Sequence, residues 1–247
     1  MTSPSDLAAW LDDQLDANRF RTEEPENGLI LDVGRRVRTV AASVNTTFES
    51  IAMAADAGAE LLMVHHPSWP HIDLHLHESK VAALRDAGIS LYGAHASLDG
   101  AALGTAKALA DLTGVSVEGR FAEYHGALAG VHGTYPGSLD AFIATIGDRL
   151  GWPPEVERTD GNCGRVGIVT GAGGLTGWLD EARRLGCDTY LTGEGSMFTR
   201  LFARESGINL VLAGHDLTET PGIEALGRRV ADHFAIEFVP VREPHLA

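Results

Sequence analysis

Only two cysteines, Cys163 and Cys187, occur in 247 residues. They form no C-x-x-C pair, so no disulfide framework is expected, and neither lies in a recognisable nucleophile context. Basic residues are scarce: 19 lysines and arginines against 34 aspartates and glutamates leave a formal charge of −15. So acidic a surface argues against non-specific binding to nucleic acid or to an anionic membrane. No stretch approaches the roughly 18 apolar residues that span a bilayer. The opening MTSPSDLAAWLDDQLD lacks the basic region and apolar run of a secretory signal. A cytoplasmic protein with neither membrane nor nucleic acid as partner is the expectation. There is no G-x-S-x-G, which leaves Ser-His-Asp catalysis without support. No long linker and no low-complexity run interrupts the chain.

The composition that remains is that of an ordinary globular protein, 44% apolar and 21% charged. The length allows one large domain or two small ones. Strand and helix patterns alternate at short spacing. Residues 5–16, 47–57, 78–87, 101–112, 138–149, 175–185, 196–206 and 219–233 read as helices. Residues 37–45, 60–64, 89–94, 126–133, 165–170, 188–192, 208–213 and 236–241 read as strands. Such alternation predicts an α/β fold of mainly parallel sheet with helices packed on it. We place two lobes at 1–125 and 126–247, forming one functional unit.

One pattern recurs: a helix closes at a glycine, a short apolar strand follows, and a polar group stands at the strand's end. The instances are DAGAELLMVHH (56–66), DAGISLYGAH (86–95), RLGCDTYLTGE (184–194) and ESGINLVLAGH (205–215). Gly58, Gly88, Gly186 and Gly207 suit the left-handed position that ends a helix, where a side chain would be strained. The strand ends carry His65–His66, His95, Gly193–Glu194 and His215. In open α/β sheets the carboxyl ends of the strands face the ligand crevice.

His65 and His66 close a buried strand, and Pro67 stops it. Metal ligation, capping hydrogen bonds and a lone catalytic histidine are the three readings of this pair. His95 and Asp99 follow in GAHASLDG, where Asp99 has an N-cap as its plain role and His95 suits a ligand or a donor that orients one. His215 and Glu219 stand four apart at the start of a helix, so both lie on one face. A first-turn carboxylate is favoured by the helix dipole, yet Asp216 and Thr218 could cap equally well. Together these are three histidines and two carboxylates from separate strand ends. Nitrogen and oxygen donors without thiolate suit zinc, manganese, iron or nickel. Five ligands are too many for one tetrahedral ion, whereas two divalent ions sharing a carboxylate use them all.

The runs GAELLMVHHPSW, LYGAHASLD, TYLTGE and AGHDLTETPG resemble, in order and spacing, the hallmark segments of the Nif-three-like dinuclear metal-centre proteins, often labelled GTP cyclohydrolase 1 type 2. The early Asn27-Gly28-Leu29 fits the same pattern, and the resemblance spans nearly the whole chain. It implies two similar α/β lobes with the metals in the cleft between them and a ring-shaped homohexamer. It makes His65, His66, Asp99, His215 and Glu219 the ligands, Glu219 bridging, with His95 beside them. After Gly193–Glu194, where many members place histidines, this chain reads GSMFTR.

Other motifs are weaker. In RVGIVTGAGGLTG (165–177), Gly171 and Gly173 fit a dinucleotide fingerprint, but Thr176 stands where its third glycine belongs, and Glu194 falls near the place of an acidic ribose partner. No Walker lysine follows. HIDLHLHE carries His71, His75 and His77 in an expected loop, either solvated or reaching over the metals. The favoured reading is a dinuclear hydrolase acting on a nucleotide or other phosphate-bearing small molecule, with a water of pKa near ~7 as nucleophile and His95 or Glu194 shuttling the proton. A non-enzymatic metal-binding oligomer (regulator, metallochaperone or interaction hub) is the alternative, and a nucleotide-dependent oxidoreductase the third.

Overall fold

The computed structural model describes residues 2–159 and 162–245. In chain order the elements are α1 (Pro4–Leu15), α2 (Ala17–Phe20), β1 (Gly28–Leu31), β2 (Thr39–Asn45), α3 (Phe48–Asp56), β3 (Leu61–His66), α4 (Pro70–Asp73), α5 (His75–Ala87), β4 (Ser90–Gly93), α6 (Ala96–Asp99) and α7 (Thr105–Thr113). There follow β5 (Ser116–Tyr124), β6 (Ala127–Thr134), α8 (Leu139–Leu150), β7 (Glu155–Glu157), β8 (Arg165–Ile168), α9 (Thr176–Arg184), β9 (Thr189–Thr192), α10 (Met197–Ser206), β10 (Asn209–Leu212), α11 (His215–Phe234) and β11 (Glu237–Pro240). No helix among the described residues is long and apolar enough to cross a membrane.

The chain forms two compact units, Met1–Ala101 with Ile223–Pro244, and Ala102–Gly222 with His245–Ala247. The sequence alternation suggested a division after residue 125. The difference has a physical cause: α7 and β5 fall with the second unit because β5 pairs along its length with β6. The chain returns to the first unit within α11, whose later part packs into that unit's core and leads to β11, an edge strand of the first sheet.

The sheet of the first unit runs β1-β4-β3-β2-β11. Strands β11, β2, β3 and β4 are mutually parallel, and β1 is an antiparallel edge on β4. Buried on both sides, β3 sends Leu61 and Met63 into a core with Leu7, Leu11, Ile223 and Val230, and Leu62 and Val64 into a second with Ile51, Ala54 and Leu84. This is the period-two alternation of a strand covered on both faces. Helix α1 contributes Leu7, Leu11 and Leu15 from one face and starts with a reciprocal cap: Asp6 N–H donates to Ser3 Oγ while the Asp6 carboxylate accepts from Ser3 N–H.

The second unit's sheet runs β5-β6-β8-β9-β10-β7. Here only β8, β9 and β10 are parallel; β5, β6 and β7 join antiparallel. The expectation of mainly parallel sheet therefore holds for the first unit and gives way in the second to a mixed sheet. One face carries Leu109, Phe142 and Ile146 against Val166, Ile168 and Leu191. The other carries Leu179, Ala182 and Ala203 against Tyr190 and Leu210.

The four glycines expected to close helices all have positive φ: 71° at Gly58, 67° at Gly88, 81° at Gly186 and 76° at Gly207. The segment 71–78 departs from expectation. It is helical, not a loop: α4 and α5 divide it at Leu74, whose φ is 53°. Asp73 ties the two helices down by accepting from Ser68 Oγ and from Lys80 Nζ at 2.8 Å, with His77 Nδ1 3.0 Å from Ser68 Oγ. Helix α11 likewise starts at His215 rather than 219.

Candidate metal centre

In the first unit β3 ends at His65 and His66, and the next parallel strand, β4, leads into His95 and the short α6 that ends at Asp99. Parallel register puts all four at the carboxyl end of the sheet. His65 is fully buried, and its Nδ1 lies 2.8 Å from the carbonyl oxygen of Ala94. His66 Nδ1 lies 2.8 Å from Asn45 Oδ1, and His95 Nδ1 lies 2.9 Å from Glu24 Oε2. Each acceptor is an oxygen that can only receive, so each Nδ1 carries a hydrogen and each ring turns its Nε2 to the other side. With Nδ1 committed to an oxygen, each of the three imidazoles can bind a cation only through Nε2, and the oxygen behind each ring fixes its orientation.

The three rings cluster, with centroids 4.8 Å (His65–His66), 5.1 Å (His65–His95) and 5.6 Å (His66–His95) apart. One donor atom from each lies within 4.8 Å of the others. His65 Nε2 is 3.7 Å from Asp99 Oδ1. That is too long for a hydrogen bond and close to the ~3.3 Å that separates two ligands of a tetrahedral ion at about 2.0–2.1 Å each. The Trp69 ring packs edge-on to His95 at 5.1 Å and stands 5.9 Å from His66.

In the second unit, β9 and β10 end at the Gly193–Glu194 turn and at Ala213–Gly214, which leads into α11. His215 opens that helix and Glu219 stands one turn later, with His215 Nε2 3.3 Å from Glu219 Oε1. On the other side of the ring, His215 Nδ1 lies 2.6 Å from Glu194 Oε1. Glu194, expected from the sequence as a proton carrier, therefore stands behind the imidazole, where it orients the ring. Glu219 is buried. Burial alone would lower the His215 pKa, but the hydrogen bonds and charges of Glu219 and Glu194 outweigh it and raise it to about 9. A pair of carboxylates that holds a proton this firmly in the metal-free protein is also a strong donor set for a cation.

The glycine-rich turn serves this pair. Gly171 has φ 57°, and a side chain there would put its Cβ 2.0 Å from Glu219 Oε1 and 2.9 Å from His215 Nε2. Gly171 N–H donates to Thr218 Oγ1 at 3.0 Å, its carbonyl accepts from Glu194 N–H at 2.9 Å, and Tyr190 OH donates to the Gly173 carbonyl at 2.7 Å. These bonds commit the turn to α11 and the sheet.

All seven residues singled out from the sequence stand at strand ends or in the helices that follow them. Sequence reasoning missed Glu24 and Asn45, which complete the imidazoles. Neither lies in a recognisable motif, and the nearest signal was Asn27-Gly28-Leu29, just after Glu24. Glu24 is held down to about 2: burial works against this, but the His95 hydrogen bond and charge, with Asn27 Nδ2 and Ala96 N–H, prevail.

Residues 2–244 match the family described as Duf34/NIF3 (NGG1p interacting factor 3). A "GTP cyclohydrolase 1 type 2 homolog" of Halobacterium salinarum is 35% identical, over 94% of this chain and 95% of that one. The Deinococcus radiodurans protein of the same name is 32% identical, over 94% and 89%. Among solved structures, protein ybgI, titled as of unknown function, has the same fold with a TM-score of 0.87 and 26% identity over 100% of both chains. TTHA1606 from Thermus thermophilus has a TM-score of 0.82 and 26% identity, again over 100% of both.

Proposed function

Because the chain belongs to the Duf34/NIF3 family, we propose that it is a cytosolic hydrolase dependent on two divalent cations and acting on a nucleotide or another phosphate-bearing small molecule. The observation that carries this reading is the three-imidazole cluster with every Nδ1 tied to an oxygen, which presents Nε2 donors near a buried position beside Asp99. His65, His66 and Asp99 are the residues that would hold a cation in the first unit, and His215 and Glu219 those that would hold one in the second. The donor set of nitrogen and carboxylate oxygen fits zinc, iron, manganese or nickel. Bound there, such cations supply Lewis acidity to water and to a substrate oxygen. The protein's own part is to orient: the Ala94 carbonyl, Asn45 and Glu194 fix the ligand rings. His95, with Nδ1 held by Glu24, offers Nε2 as the proton acceptor. The names of the curated relatives support a nucleotide as substrate. A homohexamer is the assembly we propose, and exposed apolar side chains in both units (Ile72 and Leu74; Met197 and Phe198) support burial against further copies.

The test is elemental analysis of the purified protein, followed by turnover of a panel of nucleotides and phosphoesters by the metal-loaded form. We expect two equivalents of metal per chain. Glu219→Gln should stay folded and lose at least about a hundredfold in kcat. Full activity in that variant, or a wild-type protein that takes up metal and turns over nothing in the panel, refutes the hydrolase reading.

A further inference from the structure

Asn27-Gly28-Leu29 is left without a role by the ligand set, and its surroundings supply one. We propose that Glu24 is the positioning residue of His95, held against the imidazole by Asn27 so that the ring keeps its hydrogen on Nδ1 and its lone pair on Nε2. The proposal builds on the reading of His95 as a working group of a hydrolytic site, and its first test does not depend on that reading.

The geometry is convergent. Both Glu24 oxygens reach His95 Nδ1, at 3.0 and 2.9 Å, across 71 residues of sequence. Glu24 Oε2 also accepts from Ala96 N–H at 3.3 Å and from Asn27 Nδ2 at 3.0 Å. Asn27, almost fully buried, accepts with its own Oδ1 from His95 N–H at 3.0 Å and Ser97 N–H at 3.2 Å. The backbone of the 24–28 turn is anchored in the same way. Arg21 Nε donates to the Asn27 carbonyl at 2.7 Å, Arg21 pairs with Asp12 at 2.7 Å, and Asp12 accepts from Tyr92 OH at 2.9 Å. Tyr92 lies on β4, three residues before His95, so the chain of contacts closes on the strand that carries the imidazole.

Two glycines permit this approach. A Cβ on Gly28, at φ 123°, would stand 2.0 Å from the Arg21 guanidinium, and a Cβ on Gly93 would stand 2.3 Å from the Glu26 carbonyl oxygen. Helix capping alone does not account for the arrangement. The N–H groups at the start of α6 need neutral acceptors only, which Asn27 already supplies and a glutamine at position 24 would complete. A largely buried carboxylate is expensive, and it is well used where it faces a ring N–H whose orientation and tautomer matter.

The experiment compares wild type, Glu24→Gln, Glu24→Ala and Glu24→Asp, each labelled with 15N at histidine and studied metal-free and zinc-loaded. In two-bond 1H–15N spectra the wild-type His95 should show the Nδ1–H tautomer. Glu24→Ala should move it to Nε2–H or a mixture, with His66, tied to Asn45, unchanged as the internal control. Glu24→Gln keeps an amide oxygen, the kind of acceptor that holds His66, and so should keep the fold and the Nδ1–H tautomer even if alanine does not, and Glu24→Asp should keep the tautomer in part. With bis(p-nitrophenyl) phosphate as probe, kcat should fall about tenfold or more in Glu24→Ala while KM stays within about twofold, and Glu24→Gln should recover part of the loss. An unchanged His95 tautomer in folded Glu24→Ala, or its loss in folded Glu24→Gln, overturns the proposal whether or not the protein is a hydrolase. So does an unchanged kcat in a protein that turns over the probe. Absence of turnover in wild type counts against the hydrolase reading alone, and the tautomer then decides.

Discussion

An imidazole that has already donated its Nδ1–H can offer only Nε2 to what lies in front of it. His65, His66 and His95 are all in this state, each through a different acceptor: a backbone carbonyl, an amide oxygen and a carboxylate. His215 differs, because carboxylates stand on both sides of its ring. With its pKa raised to about 9 in the metal-free protein, His215 is protonated at neutral pH and must lose that proton to ligate. Metal uptake near pH 7 should therefore release protons, and affinity should rise by up to about tenfold per pH unit until about pH 9 and then level off. Calorimetric titration with zinc in buffers of different ionisation enthalpy measures the release directly. Tight binding with no buffer dependence at pH 7 would show that His215 is not displaced from its proton by the metal.

At the scale of the element, the strand-end histidines stand where they do because short parallel strands stop abruptly. Pro67 ends β3 directly after His66, and positive-φ glycines reset the chain before β3, β4, β9 and β10. These signals were legible because glycine and proline act locally. Strand β5 was not read because SVEGRFAEY is half-exposed, carries charges and bends at Ala122, φ 60°; its pairing with β6 forms it. The segment 71–78 looked like a loop because its polar residues hide a helix held by the Asp73 contacts. The turn at Gly171 supplies a prediction. Gly171→Ala places a methyl where Glu219 Oε1 stands and adds strain at φ 57°. We expect the metal equivalents retained after dialysis to fall by about half or more, with a helical circular-dichroism spectrum unchanged and stability lowered by roughly 1–2 kcal/mol. Full metal retention would mean that Glu219 is not held in place by this turn.

For the whole molecule, the formal charge of −15 opposes association of like copies, while Ile72, Leu74, Met197 and Phe198, each more than half exposed, favour it. Light scattering at physiological salt should give six times the protomer mass, and low salt should weaken the assembly as screening is lost. Phe198→Glu should shift the population toward smaller species, and a monomer in wild type at micromolar concentration refutes the hexamer. The sequence by itself determined the alternation of strands and helices, the glycine-closed helices and the histidines at the strand ends, because each depends on local backbone preference and on periods of two or of three to four residues. Only the tertiary structure decided which acceptor stands behind each ring. Asn45, Ala94 and Glu24 reach their histidines through strand register and a turn folded back across the sheet end. Contacts between residues 21 to 71 positions apart leave no spacing for a linear reading to find.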